Sequence, residues 1–159
     1  MSHVLHSLFA AASAASLSLR LATAQAPECT YDTCALRLQH KAFSRDVVRG
    51  ASATRIARLG WFAPRIDPLA SAADSARQHY AAFRTRYDRS AAFGLASFVL
   101  VAASTIVYVT NHRENDGVSA GLLIASLPFA LASSLTRVKA DDDLQQAIWF
   151  YNRALPREP

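Results

Sequence analysis

Asp141, Asp142 and Asp143 form the densest run of carboxylates in the chain, and carboxylate oxygens are the ligands that hard divalent cations take. A cation site is not what the surroundings predict. Consecutive positions on a helix point in different directions, and no glycine-containing loop of further ligands follows. The triplet is read as a solvated face that pairs with arginines. His79 needs a partner to act as a base or a ligand, and Asp74 and Tyr80 are near it only in sequence, so it is read as a surface or half-buried histidine. No nucleophile–histidine–acid set, phosphate loop or cofactor fingerprint appears in the chain. No enzymatic activity, cofactor or metal is therefore expected.

The two cysteines, Cys29 and Cys34, are spaced C-x4-C with no histidine pair beside them to complete a zinc site. That spacing predicts a tight disulfide clip in an oxidising compartment, contributing about 2 kcal/mol in the chain-entropy picture.

Residues 1–24 are expected to address the protein to such a compartment. The leader holds no acid, is rich in Ala, Ser and Leu, and ends in Ala22-Thr23-Ala24, the small-x-small pattern of a signal-peptidase site. Its early part lacks Lys and Arg, and His3, His6, Ser13, Ser16 and Arg20 recur at roughly helical spacing. An organellar transit peptide and an uncleaved anchor are the alternatives.

In 159 residues, 52% are apolar and 18% charged, and two apolar blocks carry much of the excess. The net charge of +5 comes from scattered arginines and includes no lysine-rich tract or nucleic-acid reader motif, so nucleic acid is not an expected partner. The blocks, residues 91–110 and 117–135, each approach the roughly 20 residues that a bilayer core requires, and contain no Asp, Glu, Lys, Arg or His. The polar stretch at 111–116 between them is short, which predicts an antiparallel transmembrane hairpin. Ser90 and Gly94 on the first helix, and Gly117, Gly121 and Ala125 on the second, have the small-xxx-small spacing that lets helices approach closely.

Ahead of the hairpin, residues 25–66 read as a clipped three-stranded antiparallel β-meander spanning about 34–60. Cys34, Leu36 and Leu38 alternate with polar neighbours, and the segments around Val47 and Ile56 follow across turn residues. Such a sheet is too small to bury its own core, so Leu36, Leu38, Val47, Ile56, Trp61 and Phe62 are expected to pack on something else. Asp67-Pro68 then suits a helix start, and a single helix is predicted from about 68 to 110. Its polar part, 67–90, would form a stalk continuous with the first span.

The second helix is expected to continue through 136–159 and pair with that stalk. Folding the chain at 113–114 sets Arg84 against Asp143, Arg86 against Asp141, Phe83 against Leu144 and His79 against Ile148, matching charge with opposite charge and apolar with apolar. Export through a signal peptide would place Arg84, Arg86, Arg89, Arg137 and Lys139 outside, against the positive-inside tendency. The aspartates are expected to hold some of these cations there. Trp149, Phe150 and Tyr151 form an aromatic run that serves either the core or a partner.

The expected protein is thus a membrane helical hairpin extended into an antiparallel stalk, carrying a small β-meander. Its expected place is a bacterial inner membrane, with the N- and C-terminal parts periplasmic, or an organellar membrane if the leader is a transit peptide. The expected partners are the lipid bilayer and a membrane protein or a second copy of the chain. The expected function is that of a non-enzymatic accessory or scaffold subunit of a membrane or envelope complex. An envelope sensor acting through the hairpin is the alternative, and a channel or transporter component is less favoured because the spans offer few polar side chains beyond Ser and Thr.

Overall fold

A computed structural model describes residues 29–42, 44–110 and 116–157. The expected leader, and all but the last residue of the 111–116 loop, lie outside the described residues. In chain order the elements are α1 (Tyr31–Cys34), β1 (Leu36–Lys41), β2 (Ser44–Arg49), β3 (Thr54–Leu59), α2 (Asp67–Ala70), α3 (Asp74–Thr110) and α4 (Asp116–Arg153).

The clip comes first. Cys29 and Cys34 are disulfide-bonded across α1, with Cα atoms 5.4 Å apart. The turn between β2 and β3 is fastened to it, because Gly50 N–H donates to the Ala35 carbonyl at 2.9 Å and Ala51 N–H to the Asp32 carbonyl at 2.8 Å. Gly50 has φ +67°, and a Cβ there would lie 2.7 Å from the Thr33 carbonyl oxygen. Only glycine meets both conditions.

The three strands form an antiparallel meander in the order β1-β2-β3. Leu38 lies opposite Val47, and Val47 opposite Ala57, with a register irregularity between Val47 and Val48. Leu36, Val47, Ala57 and Leu59 join Ile66, Leu69, Tyr80, Phe83, Tyr87, Ala140, Leu144, Ala147 and Ile148 in one core. The sheet thus draws its interior from α3 and α4, as its size demands. At the free edge of β1 the Asn152 carboxamide accepts from Leu36 N–H and donates to the Leu36 carbonyl, both at 2.8 Å, acting as one rung of a missing strand. The outer face carries Asp46, fully buried beneath Lys41, 3.1 Å away, and Arg58, at 3.8 Å.

Two expectations need correction here. Trp61 and Phe62 do not enter the core; they are 64% and 60% exposed. The expected single helix from 68 to 110 is broken after one turn, since α2 ends at Ala70 and α3 starts at Asp74. Tertiary burial overrides local propensity at this point. Ile66 and Leu69 are both fully buried, and the Tyr80 hydroxyl accepts from Ile66 N–H at 2.7 Å and donates to the Pro64 carbonyl at 3.0 Å. A straight continuation toward the N-terminus would carry Ile66 and Leu69 away from that core.

The 37 residues of α3 and 38 of α4 each extend about 55 Å at 1.5 Å per residue and pack side by side as a hairpin. In the apolar half their contact is a ladder of serines. Ser90 and Ser133 each donate to the other's carbonyl, at 3.0 and 2.9 Å. Ser97 donates to the Ser126 carbonyl at 3.2 Å. Ser104 and Ser119 repeat the reciprocal exchange at 2.9 and 3.2 Å.

Each helix thus supplies every seventh residue to the seam, the repeat that keeps one stripe of a helix facing its neighbour. Small side chains allow close approach, and every seam hydroxyl finds a carbonyl acceptor, as a water-free surrounding would require. Gly94 belongs to the same seam, where a Cβ would lie 3.3 Å from Ser133 Oγ. Gly117, Gly121 and Ala125 do not. All three are exposed, and neither glycine has anything within 4 Å of where a Cβ would stand. The small-xxx-small spacing is real, but it lies on the outer side of α4.

Ser104→Leu should therefore force the helices apart and cost about 1–3 kcal/mol. Gly121→Leu should change stability by less than about 0.5 kcal/mol. Unfolding of the two variants by titration with a denaturing detergent, followed by circular dichroism, measures both.

Candidate functional site

The polar half of the hairpin, where the sheet sits, gathers the charged and aromatic side chains. Arg86 pairs with Asp143 at 2.6 Å, whereas Asp141 pairs with Arg45 of β2 at 2.7 Å. Arg84 is exposed and joins no ion pair among the described residues. The expected partners are therefore exchanged: Arg86 takes the aspartate assigned to Arg84, and the sheet supplies the cation for Asp141. Phe83 and Leu144 are fully buried and Ile148 nearly so, all in the common core. His79 stacks on Phe150, with ring centroids 5.3 Å apart and an interplanar angle of 8°.

A second cluster closes the end of β3. The Tyr87 hydroxyl donates to the Gly60 carbonyl at 2.7 Å, and Arg137 donates to the same carbonyl at 3.1 Å. The Arg137 guanidinium also lies over the Tyr87 ring, 3.4 Å from its centroid, and donates to the Tyr87 hydroxyl. Three residues on, Ala63 N–H donates to Asp88 Oδ1 at 2.8 Å. The loop 60–63 is thus held at both ends by the last polar turns before the apolar segments.

Burial pushes the Tyr87 phenol above its usual value, outweighing the nearby Arg137 and Arg45 charges that pull it down. Burial lowers Arg137, whereas the hydrogen bond to Asp141 raises Arg45. The buried phenol and the cation above it form a structural latch.

Compared with protein-family models, curated proteins and solved structures, the chain matches none.

The aromatic run divides into three fates, because successive helical residues face different ways. Phe150 stacks on His79 and meets Trp149 edge-on at 4.8 Å, and Tyr151 packs against the core. Trp149 stays 53% exposed, with the Arg153 guanidinium 5.1 Å from its ring. It borders a groove of about 420 Å³ between α4 and β1, lined by Leu36, Leu38, His40, Gln145, Ile148 and Asn152 among others. Of the run, Trp149 is the most exposed side chain. Among the described residues, no group of three or more His, Cys, Asp or Glu side chains converges as a metal site, and Asp141 and Asp143 are directed to different arginines.

Several residues of this region do not stand out in the sequence. Arg45, Arg137 and Tyr87 look like any surface cation and helical aromatic, and Asn152 like a solvated polar residue. The serine heptads at 90, 97, 104 and at 119, 126, 133 are a signal that periodicity does contain.

A raised phenol pKa favours the folded state fully below the unfolded value of 10.0 and loses that contribution as pH rises through the folded value. An absorbance titration should show a tyrosine ionisation above the ordinary phenol range that is missing in Tyr87→Phe. The denaturant stability of the wild type should also fall more steeply above pH 10 than that of the variant. An identical high-pH titration in wild type and Tyr87→Phe would remove Tyr87 from the latch. The Arg86 side chain keeps 44% of its surface exposed, so a double-mutant cycle between Arg86 and Asp143 should return no more than about 1 kcal/mol.

Proposed function

We propose that the protein is a two-span integral membrane protein whose stalk and sheet form an exported head, and that it acts as a non-enzymatic accessory or scaffold subunit of a larger membrane or envelope complex. One observation carries the membrane reading. The most apolar windows of α3 and α4 are only 6% and 11% buried, although both helices are long and apolar enough to cross a bilayer. Phe98, Val99, Ile106, Val109, Ile124, Leu127, Leu131 and Leu135 all point outward. The core helix of a water-soluble protein hides such side chains; a membrane span presents them to lipid. The serine ladder fits the same reading, since it satisfies the seam hydroxyls without water.

Export is supported by the Cys29–Cys34 bond, which persists in oxidising compartments. The scaffold reading rests on Trp149 and its groove, a large half-exposed aromatic beside a cleft between α4 and β1. A second reading, a sensor acting on a membrane partner, is favoured by the outward stripe Gly117, Gly121 and Ala125, which leaves α4 free to meet another helix.

Orientation is tested with single cysteines at Asn115 and Arg157, in a protein lacking Cys29 and Cys34, labelled in intact cells by a membrane-impermeant maleimide. Labelling at Arg157 but not at Asn115 is expected; labelling at Asn115 alone would put the head inside. Purification in mild detergent should bring a stoichiometric partner that Trp149→Ala releases. Retention of that partner by Trp149→Ala and its loss in Gly121→Leu would favour the sensor.

A further inference from the structure

The loop after β3 displays two adjacent large aromatic side chains at one level of the hairpin. Trp61 and Phe62 are 64% and 60% exposed, yet the backbone beneath them is fastened on both sides. The Gly60 carbonyl is held by Tyr87 and Arg137, and Ala63 N–H by Asp88. A held loop with exposed aromatics leaves apolar surface in water, a cost that a contact surface would remove.

The position of the loop identifies that surface. Trp61 and Gly60 share a cleft of about 460 Å³ with Ser90, Ala91, Gly94, Ser133, Ser134 and Arg137, the residues at which each helix passes from charged to apolar. Just beyond the cleft the apolar band begins on both helices, with Leu95, Phe98, Leu131 and Leu135 exposed. On the polar side Arg89 and Lys139 are exposed. The aromatic pair therefore continues the lipid-facing band at its edge, with cations at the height of lipid phosphates, the placement in which tryptophan is enriched at bilayer interfaces.

We propose that Trp61 and Phe62 form an interfacial anchor that seats the sheet on the headgroup–acyl boundary of the bilayer crossed by α3 and α4. This rests on the membrane-spanning reading above. The sheet is then held to the membrane by its own loop as well as through the helices, and the Tyr87–Arg137–Gly60 latch fixes the depth of the aromatics. Trp149, at the far end of the head, stays in water.

The chain has two tryptophans, so single-tryptophan forms report the two heights separately. Trp149→Phe leaves Trp61, Trp61→Phe leaves Trp149, and Phe98→Trp on the double replacement marks the span. Each full-length form is reconstituted into phosphatidylcholine vesicles containing lipids brominated either near the carbonyl or near the methyl end of the acyl chain. Loss of Trp61 fluorescence is expected with the carbonyl-end bromines more than with the methyl-end ones. Trp149 should be quenched by neither, and the tryptophan at position 98 by at least one.

An unquenched Trp61 beside a quenched span reporter would overturn the anchor and leave the spans standing. If neither is quenched, the membrane reading fails and takes the anchor with it. Quenching of Trp61 and Trp149 alike would show the head lying flat on lipid, which also overturns a specific anchor.

Discussion

Along the seam between α3 and α4 the filling changes from aromatic to serine, and both the sheet and the apolar half of the molecule depend on that seam. In the polar half Tyr80, Phe83 and Tyr87 meet Ala140, Leu144 and Ala147, and the sheet adds Leu36, Val47, Ala57 and Leu59 to the same core. In the apolar half Ser90, Ser97 and Ser104 face Ser133, Ser126 and Ser119. Large side chains fill a core where three elements converge. Small hydroxylated ones suit a contact of two helices alone, where close approach and satisfied polar groups replace apolar burial.

The head is tied to this hairpin by polar contacts that each serve a backbone group or a charge. Asn152 closes a rung at the edge of β1, Asp141 holds Arg45 of β2, and Tyr87 with Arg137 holds the end of β3. Each strand is thereby fastened separately, so tilting the sheet breaks contacts at more than one site. The disulfide and Gly50 perform the same role for the turn between β2 and β3, with Gly50 in a conformation that an L side chain rarely adopts. The sheet and the two helices form one packed unit.

Much of this arrangement was legible in the residues. Period-two alternation located the first strand and turn residues set off the two after it, two uncharged blocks located the apolar helical halves, and the burial of Phe83 and Leu144 followed from matching apolar positions across the hairpin. The charge partners were less accessible. Arginine is long enough to reach neighbouring turns, so a fold-back alignment cannot separate Arg84 from Arg86 as the partner of Asp143, and it leaves out Arg45, which comes from the sheet. Gly117 and Gly121 drew attention as small residues, but smallness alone does not say which side of a helix meets its neighbour. The seven-residue serine repeat does carry that information.

Composition and periodicity determined what this chain is made of: a clipped meander, two long helices that turn back on each other, and apolar segments of membrane-spanning length. These are local properties, fixed by which side chains recur at period two or along a helix and by where glycine and proline interrupt them. Tertiary structure alone decided that α2 breaks away from α3, that Arg45 answers Asp141, and that Trp61 and Phe62 stay outside the core. Each of these depends on which distant side chains compete for the same space or the same polar partner. A linear pattern names the competitors, and only the packed chain shows which of them wins.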